Sequence, residues 1–409
     1  MQSTLLLLLL VASVVAVIAA RIRVPYTVAL VAAGLLLRHL SWTWPGLPLH
    51  GLRLTPHLLM DFFLPVLLFE AAFHLSFNVF FKNIRIITLL AFPGVLLATA
   101  IAATLSVYLG RYAGINWGWG VALLFASMLA ATDPVSVIAL FKELGAPKRL
   151  SVVMEGESLL NDGVAVVLFT VLAANLSLGH TEHVLSFAWV SRFFAWEVLG
   201  GLGLGAVIGL LVSYLLTFSD DRLVEITLST VAVFASHMFA GQLHVSGVLA
   251  VVAAGMACGN VGAKFGLSER SHEAVAGFWE YAVFVSNSFV FLLIGEEINL
   301  RRLGSHLDLV VFAWLSLLIG RFFVVWLVKR SVQRSKEQLP TSWTAVLSWG
   351  GLRGGLSMVL ALGLPADFAY RKLLIDLVFG VVLFSIVIQG LSIPSVLKWA
   401  CRRTPESGS

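Results

Sequence analysis

The chain has 409 residues, of which 59% are hydrophobic and 12% charged, with a formal net charge of +5 at pH 7. Soluble domains contain about 25% charged residues, so this composition excludes an ordinary soluble fold and indicates a protein of the lipid bilayer. Basic loops that contact anionic lipid account for the positive charge, which therefore does not predict a nucleic-acid partner.

Apolar stretches follow one another along almost the whole chain. A helix needs about 20 apolar residues to cross about 30 Å of hydrocarbon. We predict thirteen spans, at residues 3–20, 24–38, 56–75, 84–109, 117–141, 152–178, 193–218, 222–240, 244–262, 274–298, 306–328, 341–362 and 371–397. The sequence thus predicts an all-α polytopic membrane protein, a single unit over residues 1–403 with a short polar tail at 404–409.

Lysine and arginine concentrate in alternate loops between these spans. Because cytoplasmic loops retain basic residues, the bias predicts an N-terminus outside the membrane and a C-terminus in the cytoplasm. The first span also resembles a cleaved signal peptide ending at Ala19 and Ala20, but no basic residue precedes it. Cys258 and Cys401 lie far apart in the chain and predict neither a disulfide framework nor a metal cluster.

The fifth and twelfth spans each contain residues that break helices. Thr132–Pro134 lies within the fifth, where proline removes a backbone donor, and Gly350–Gly355 within the twelfth, where four glycines permit unwound backbone. Five and twelve differ by seven, which predicts inverted repeats, spans one to six and eight to thirteen, with span seven as the connector. The alternative is that proline and glycine only kink two packed helices.

Each predicted break also carries a charge, Asp133 in the fifth span and Arg353 in the twelfth. Crossed broken helices aim half-helix ends at one another, positive at the exposed amides and negative at the exposed carbonyls. Asp133 is suited to the positive ends and Arg353 to the negative ends. The sequence therefore predicts that these two residues neutralise the crossing.

The sixth span places Ser158, Asn161 and Asp162 on one helical face, because they lie three or four residues apart. Their hydroxyl, amide and carboxylate oxygens suit a small monovalent cation, since calcium sites usually collect more carboxylates. Glu157 can face Asn161 one turn on, and a nearby arginine would keep it ionised. Glu70 on the third span is a further candidate ligand, or else a helix-end carboxylate at the membrane interface.

An ionised carboxylate at hydrocarbon depth costs at least about 2.5 to 3.5 kcal/mol, so such a residue normally faces a transport pathway. A carboxylate that binds a cation in a dehydrated site must also be able to take a proton. Competition of H⁺ and Na⁺ for Asp162, with access that alternates between the two sides, is by itself an exchange mechanism. It needs no cofactor.

Three other functions remain open from the residues alone. A K⁺/H⁺ exchanger or a cation channel would use the same acidic residues. An intramembrane enzyme would need Ser158 as its nucleophile, and no histidine or lysine lies within one turn of Ser158 on its own span.

Other residues of the spans have packing roles as their simplest interpretation. Gly201, Gly205 and Gly209 form a ladder of small residues that lets two helix backbones approach closely, within one chain or between two protomers. Arg321 on the eleventh span is expected to pair with an acid or with backbone carbonyls. The remaining polar residues of note mark the ends of spans: His74, His237, His244, Glu296 and Glu297.

Four motifs occur in order: Thr132–Pro134, Gly156–Gly163, Leu317–Arg321 and Gly350–Gly355. Together they resemble the prokaryotic sodium/proton antiporters of the cation:proton antiporter-1 family, over nearly the whole chain. The resemblance implies a thirteen-span fold in the plasma (inner) membrane and a homodimer. It also implies a mobile six-helix bundle at about 80–180 and 304–400, and a dimerising scaffold at about 1–79 and 181–303.

The resemblance further implies roles for single residues. A cation, Na⁺ or Li⁺, would be bound by Asp162, Ser158, Glu70 and the Thr132 backbone. Glu157 would form an ion pair with Arg353, while Asn161 and Asp133 would hold the site together. In this family an asparagine before the binding aspartate goes with electroneutral one-for-one exchange. Many relatives carry a long cytosolic tail that this sequence lacks, so regulation by such a tail is not expected.

Overall fold

The computed structural model describes residues 2–22, 24–43, 56–112, 114–115, 117–177, 187–265, 269–333 and 338–403. The predicted tail at 404–409 lies outside them. The regular elements of these ranges are helices: α1 (Gln2–Ile22), α2 (Tyr26–Thr43), α3 (Pro56–Leu58), α4 (Leu64–His74), α5 (Phe77–Lys82), α6 (Ile84–Leu89), α7 (Val95–Tyr112), α8 (Trp119–Met128), α9 (Val135–Leu144), α10 (Lys148–Ser177), α11 (Phe187–Leu216), α12 (Arg222–Gln242), α13 (Gly247–Ala257), α14 (Ala263–Phe265), α15 (Glu269–Glu297), α16 (Leu300–Ser305), α17 (Leu307–Val332), α18 (Thr341–Trp349), α19 (Gly355–Leu362), α20 (Arg371–Phe384) and α21 (Gly390–Arg403).

Four π-helical turns join pairs of these helices end to end: Leu59–Phe63, Leu90–Gly94, Cys258–Gly262 and Ser385–Gln389. Within the described ranges, seven helices are long and apolar enough to cross a membrane: Ile84–Tyr112, Lys148–Leu176, Ser191–Leu216, Arg222–Gln242, Ser271–Glu297, Leu307–Val332 and Arg371–Arg402. Shorter apolar helices accompany them at Leu6–Ile22, Tyr26–Leu40, Trp119–Met128 and Gly247–Gly262. The predicted all-α membrane fold is confirmed, and the count of thirteen spans stays a prediction.

Both predicted helix breaks are confirmed. The first separates α8 from α9 over residues 129–134, and the second separates α18 from α19 over residues 350–354. Pro134 lacks the amide that would continue the first helix, and consecutive glycines lower the helix propensity of the second. Each break therefore leaves unpaired backbone groups inside the molecule, where another part of the protein must satisfy them.

The glycine ladder of α11 packs against α13 of the same chain. A Cβ atom added at Gly205 would overlap the backbone of Ala250, and one at Gly209 would contact the backbone of Ala254. The ladder therefore acts within the protomer, which answers the question that its spacing left open.

We expect Gly205→Ala to lower the stability of the protein by about 1–3 kcal/mol, because the new methyl group forces two backbones apart. Gly203→Ala is the matched control, since a Cβ at Gly203 has open space around it. Thermal unfolding in detergent measures both. Equal melting temperatures for the two variants would contradict this account of the ladder.

Buried hydrophobic side chains form two large clusters that meet near the helix breaks. On α10, Leu160 belongs to one cluster and Ala165 to the other. On α17, Leu317 and Val324 are divided in the same way. Asp162 and Arg321 lie between these pairs of residues, so they lie at the boundary of the two apolar clusters.

Candidate functional site

The two broken helices cross, and their unwound segments contact one another. The Asp133 amide donates a hydrogen bond to the Leu352 carbonyl, with N and O 2.8 Å apart. A Cβ atom added at Gly354 would overlap the Asp133 carboxylate, so this carboxylate lies directly against the residue that precedes α19. A negative group at a helix N-terminus is stabilised by the exposed amides.

Arg353 lies at the opposite, carbonyl end of the crossing. Its Nη1 donates to the carbonyl of Ala130 at 2.8 Å and to that of Ala131 at 3.1 Å, just beyond the end of α8. Its side chain is 6% exposed. The guanidinium therefore satisfies carbonyls that the break leaves without helical partners, which is the placement that the sequence predicted for it.

Glu157 and Arg321 form a bidentate ion pair beside this crossing. Both guanidinium–carboxylate distances are 2.8 Å, and the two residues are 1% and 6% exposed. The Arg321 Nε also donates to the Leu347 carbonyl at 3.1 Å. This bidentate ion pair links α10 to α17, and the bond to Leu347 extends the link to α18.

Asn161 ties the first break to this ion pair. Its Nδ2 donates to Thr132 Oγ1 at 2.7 Å and to Glu157 Oε1 at 2.6 Å. Its Oδ1 accepts from the Thr132 amide at 3.3 Å, and the residue is fully buried. The amide is therefore occupied within the protein, and it holds the unwound Thr132 backbone against α10.

Ser158 and Asp162 lie on the neighbouring face of α10, towards a cavity. The Ser158 hydroxyl donates to the Thr132 carbonyl. The Asp162 carboxylate interacts with the Thr132 backbone and with the charges of Asp133 and Glu157. One Asp162 oxygen, Oδ1, is buried without a hydrogen-bond partner among the described residues. Buried carboxylate oxygens are normally satisfied, so this atom is the one most available to a cation or a proton.

A cavity of about 600 Å³ contains these groups, including Thr132 and Asp162. Along α10 its wall is a polar stripe at helical spacing, which runs from the exposed Lys148 at the helix start to the site: Lys148, Ser151, Glu155, Ser158 and Asp162. On the facing wall, Glu70 Oε1 lies 3.2 Å from His74 Nδ1. The stripe forms a polar route from the N-terminal end of α10 to Asp162.

Known proteins resemble this chain over most of its length. A family model described as sodium/hydrogen exchanger, transmembrane, matches residues 6–399. The chain belongs to the sodium/hydrogen exchanger family. It is 42% identical over 383 residues to the low-affinity Na⁺/H⁺ antiporter NhaS1 of Synechocystis sp., covering 92% of this chain and 69% of that protein.

Two further comparisons agree with this assignment. The Na⁺/H⁺ antiporter ApNhaP of Aphanothece halophytica is 39% identical over 379 residues, covering 92% of this chain and 70% of that protein. The solved structure of the sodium proton antiporter MjNhaP1 from Methanocaldococcus jannaschii matches with a TM-score of 0.74 at 17% identity, covering 97% of this chain and 95% of that one. At 17% identity, the structural match shows only that the two proteins share a fold.

One expectation about this family member needs correction. The ion pair expected between Glu157 and Arg353 is not formed in the structure, because Arg321 occupies both Glu157 oxygens and Arg353 binds carbonyls instead. Asn161, expected to hold the site together, is bonded to Thr132 and Glu157. Arg321 does pair with an acid and a carbonyl, as its position predicted.

Two supporting residues were missed by sequence reasoning. The Arg353 amide donates to Ser385 Oγ at 2.9 Å, and Ser385 Oγ donates to Gln389 Oε1 at 2.7 Å. Gln389 in turn donates to the Trp349 carbonyl at 2.8 Å, where α18 ends. These bonds connect the second helix break to the π-helical turn Ser385–Gln389. They pair the Arg353 amide and the Trp349 carbonyl, which lie at that break. Their signal was present, since Ser385 and Gln389 are two polar residues four apart in an apolar span.

Proposed function

We propose that this protein is a secondary antiporter that exchanges Na⁺ or Li⁺ for H⁺ across the membrane, with Asp162 as the shared binding residue. The observation that carries the proposal is the Asp162 oxygen that has no hydrogen-bond partner in the described part of the chain, at a cavity beside the unwound Thr132 backbone. An ionised Asp162 attracts a cation, whereas a protonated one removes the counter-charge and releases it. The antiporter names of the relatives support the same function.

The oxygen groups around Asp162 support a monovalent cation as the substrate. Ser158 and the Thr132 carbonyl add neutral oxygens that are already in contact with each other. Glu70 lines the same cavity from α4 and supplies a further oxygen, directly or through water. Glu157 is balanced by Arg321, and Asp133 lies at the N-terminal end of α19, so Asp162 is the carboxylate that changes its charge in the proposed exchange.

The position of the cavity supports alternating access. One wall comes from α10, the first break and the start of α19, and the facing wall comes from α4 and α15. In the predicted division of the chain into two parts, α10, the first break and α19 belong to the moving bundle, and α4 and α15 belong to the scaffold. The polar stripe reaches the start of α10, while bulky side chains such as Phe63, Phe291 and Leu356 line the opposite part. This arrangement supports a state open at the α10 N-terminal end, which the basic loops assign to the cytoplasm.

We further propose that the exchange is electroneutral, with one Na⁺ for one H⁺, and that the protein forms a homodimer in the plasma membrane. One titrating carboxylate that carries either ion transfers the same charge in each direction. Asn161 stands before Asp162 where a second aspartate would add another charge, and its amide is fully engaged in the protein.

Purified protein in proteoliposomes tests this function. With an imposed pH gradient, Na⁺ or Li⁺ should dissipate the gradient, and clamping the membrane potential with valinomycin and K⁺ should leave the rate unchanged. A potential generated by Na⁺ alone would instead indicate a cation channel. Dissipation by K⁺ in place of Na⁺ would indicate a K⁺/H⁺ exchanger.

A further inference from the structure

A buried amide on α15 faces the cavity and has no role in the mechanism described so far. Asn287 is 6% exposed and lines the same cavity as Asp162. It lies on a helical face with Val283 and Val290, which also line the cavity. Among the described residues its amide makes no hydrogen bond and no ion pair. The adjacent Ser288, by contrast, bonds to the Tyr26 hydroxyl at 2.7 Å.

The level of Asn287 in the molecule is defined by its neighbours on α15. On α15, Val283 packs against the hydrophobic cluster that includes Leu160 of α10, and Val285 packs against the cluster that includes Ala165. Asn287 follows Val285 by two residues, and Asp162 lies between Leu160 and Ala165. Both residues therefore lie near the level where the two clusters meet.

A second contact places Asn287 near the crossing of the broken helices. A Cβ added at Gly355, the first residue of α19, would contact Val290. Asn287 precedes Val290 by three residues, about 4.5 Å along the helix. Asn287 is thus on the cavity wall that faces α10, about one helical turn from the residue that packs against the start of α19.

We propose that Asn287 is a further ligand of the transported cation and binds it through its amide oxygen, directly or through one water. This inference rests on the proposed antiport function. The amide lines the cavity and has no hydrogen-bond partner among the described residues, so it can bind an ion or a water there. An amide oxygen is a suitable partner for a small hard cation.

The position of this ligand has a consequence for selectivity. Asn287 is neutral, so it replaces part of the cation's hydration shell without changing the one-for-one charge balance at Asp162. It also stands on α15, in the proposed scaffold, whereas Ser158 and Asp162 stand on the proposed moving bundle. The span between the two walls then determines which ion both sides can bind at once, and this favours one ionic radius over others.

The proposal is tested by measuring Na⁺- and Li⁺-driven proton flux in proteoliposomes for the wild type, for Asn287→Ala and for the control Ser288→Ala. We expect Asn287→Ala to raise the KM for Na⁺ by about tenfold, as the loss of one charge-assisted contact predicts, with the maximal rate retained. The ratio of the KM values for Na⁺ and Li⁺ should also change. Ser288→Ala removes a buried polar group on the same helix that is directed at Tyr26, and it should leave the KM ratio unchanged.

Other results would overturn the proposal. Wild-type KM values in Asn287→Ala, or a lower maximal rate with an unchanged KM, would show that Asn287 does not bind the cation. If Asn287→Ala does not give a monodisperse protein, Asn287→Ser makes the same comparison with a shorter side chain. Wild-type protein without any Na⁺- or Li⁺-dependent flux would refute the antiport function and this inference together, whereas the variant results refute only the inference.

Discussion

Replacing Asp162 with asparagine is expected to abolish Na⁺-driven proton flux. Asparagine keeps the size of the side chain but can neither balance the charge of Na⁺ nor take up a proton. The substitution also removes a buried negative charge that faces those of Asp133 and Glu157. Folding should therefore be preserved, with a melting temperature equal to or above that of the wild type. Fluorescence of a pH indicator inside proteoliposomes measures the flux.

Asp308→Asn is the matched control, because it makes the same chemical change at an exposed residue in the first turn of α17. Its flux should equal that of the wild type. Flux in Asp162→Asn at half the wild-type rate or more would show that the ions are exchanged elsewhere. A second readout is the stabilisation of detergent-solubilised protein by Na⁺, which should be present in the control and absent from Asp162→Asn.

Breaking the ion pair between Glu157 and Arg321 should cause the largest loss of stability among single substitutions at the site. Glu157→Gln leaves a buried guanidinium without its counter-charge, which costs about 3–5 kcal/mol in proteins. It also disturbs Asn161, which donates to the same carboxylate. Thermal and denaturant unfolding in detergent measure the loss, and flux should fall because Thr132 is no longer held in place.

A double variant separates charge from packing at this pair. Glu157→Gln combined with Arg321→Met removes both charges and should recover part of the stability lost in Glu157→Gln alone. Arg302→Ala is the exposed comparison, since Arg302 lies 3.8 Å from Asp376 and is 54% exposed. That variant should cost no more than about 1 kcal/mol. A double variant less stable than either single one would mean that Glu157 and Arg321 act independently.

Local chemistry explains which features of the fold were predictable. An apolar run long enough to cross a bilayer forms a helix. A proline in one such run and clustered glycines in another interrupt the helix through their own backbone geometry. The breaks at Pro134 and at Gly350–Gly355 could therefore be located without knowledge of the neighbours. Helical spacing placed Ser158 on one face with Asp162 for the same reason, since four residues span about one turn.

Partners across helices could not be predicted in the same way. Arg321 and Arg353 are both buried arginines in apolar spans, and nothing in their spacing shows which one reaches Glu157. Likewise, the ladder at Gly205 is compatible with any helix that offers a flat surface, and α13 proved to be its partner. Periodicity describes the faces of one helix, whereas pairing depends on the distances between helices.

By itself, the sequence determined that this is an α-helical membrane protein with two interrupted helices, an acidic residue at their level and the family motifs around it. Only the tertiary structure decided that Arg321 holds Glu157, that Arg353 binds the carbonyl end of α8, and that Asn287 faces the cavity from α15. The physical reason is the range of the interactions. Helix formation and helix breaking are set by residues within one or two turns, while ion pairs and cavities form between segments that can be more than 100 residues apart.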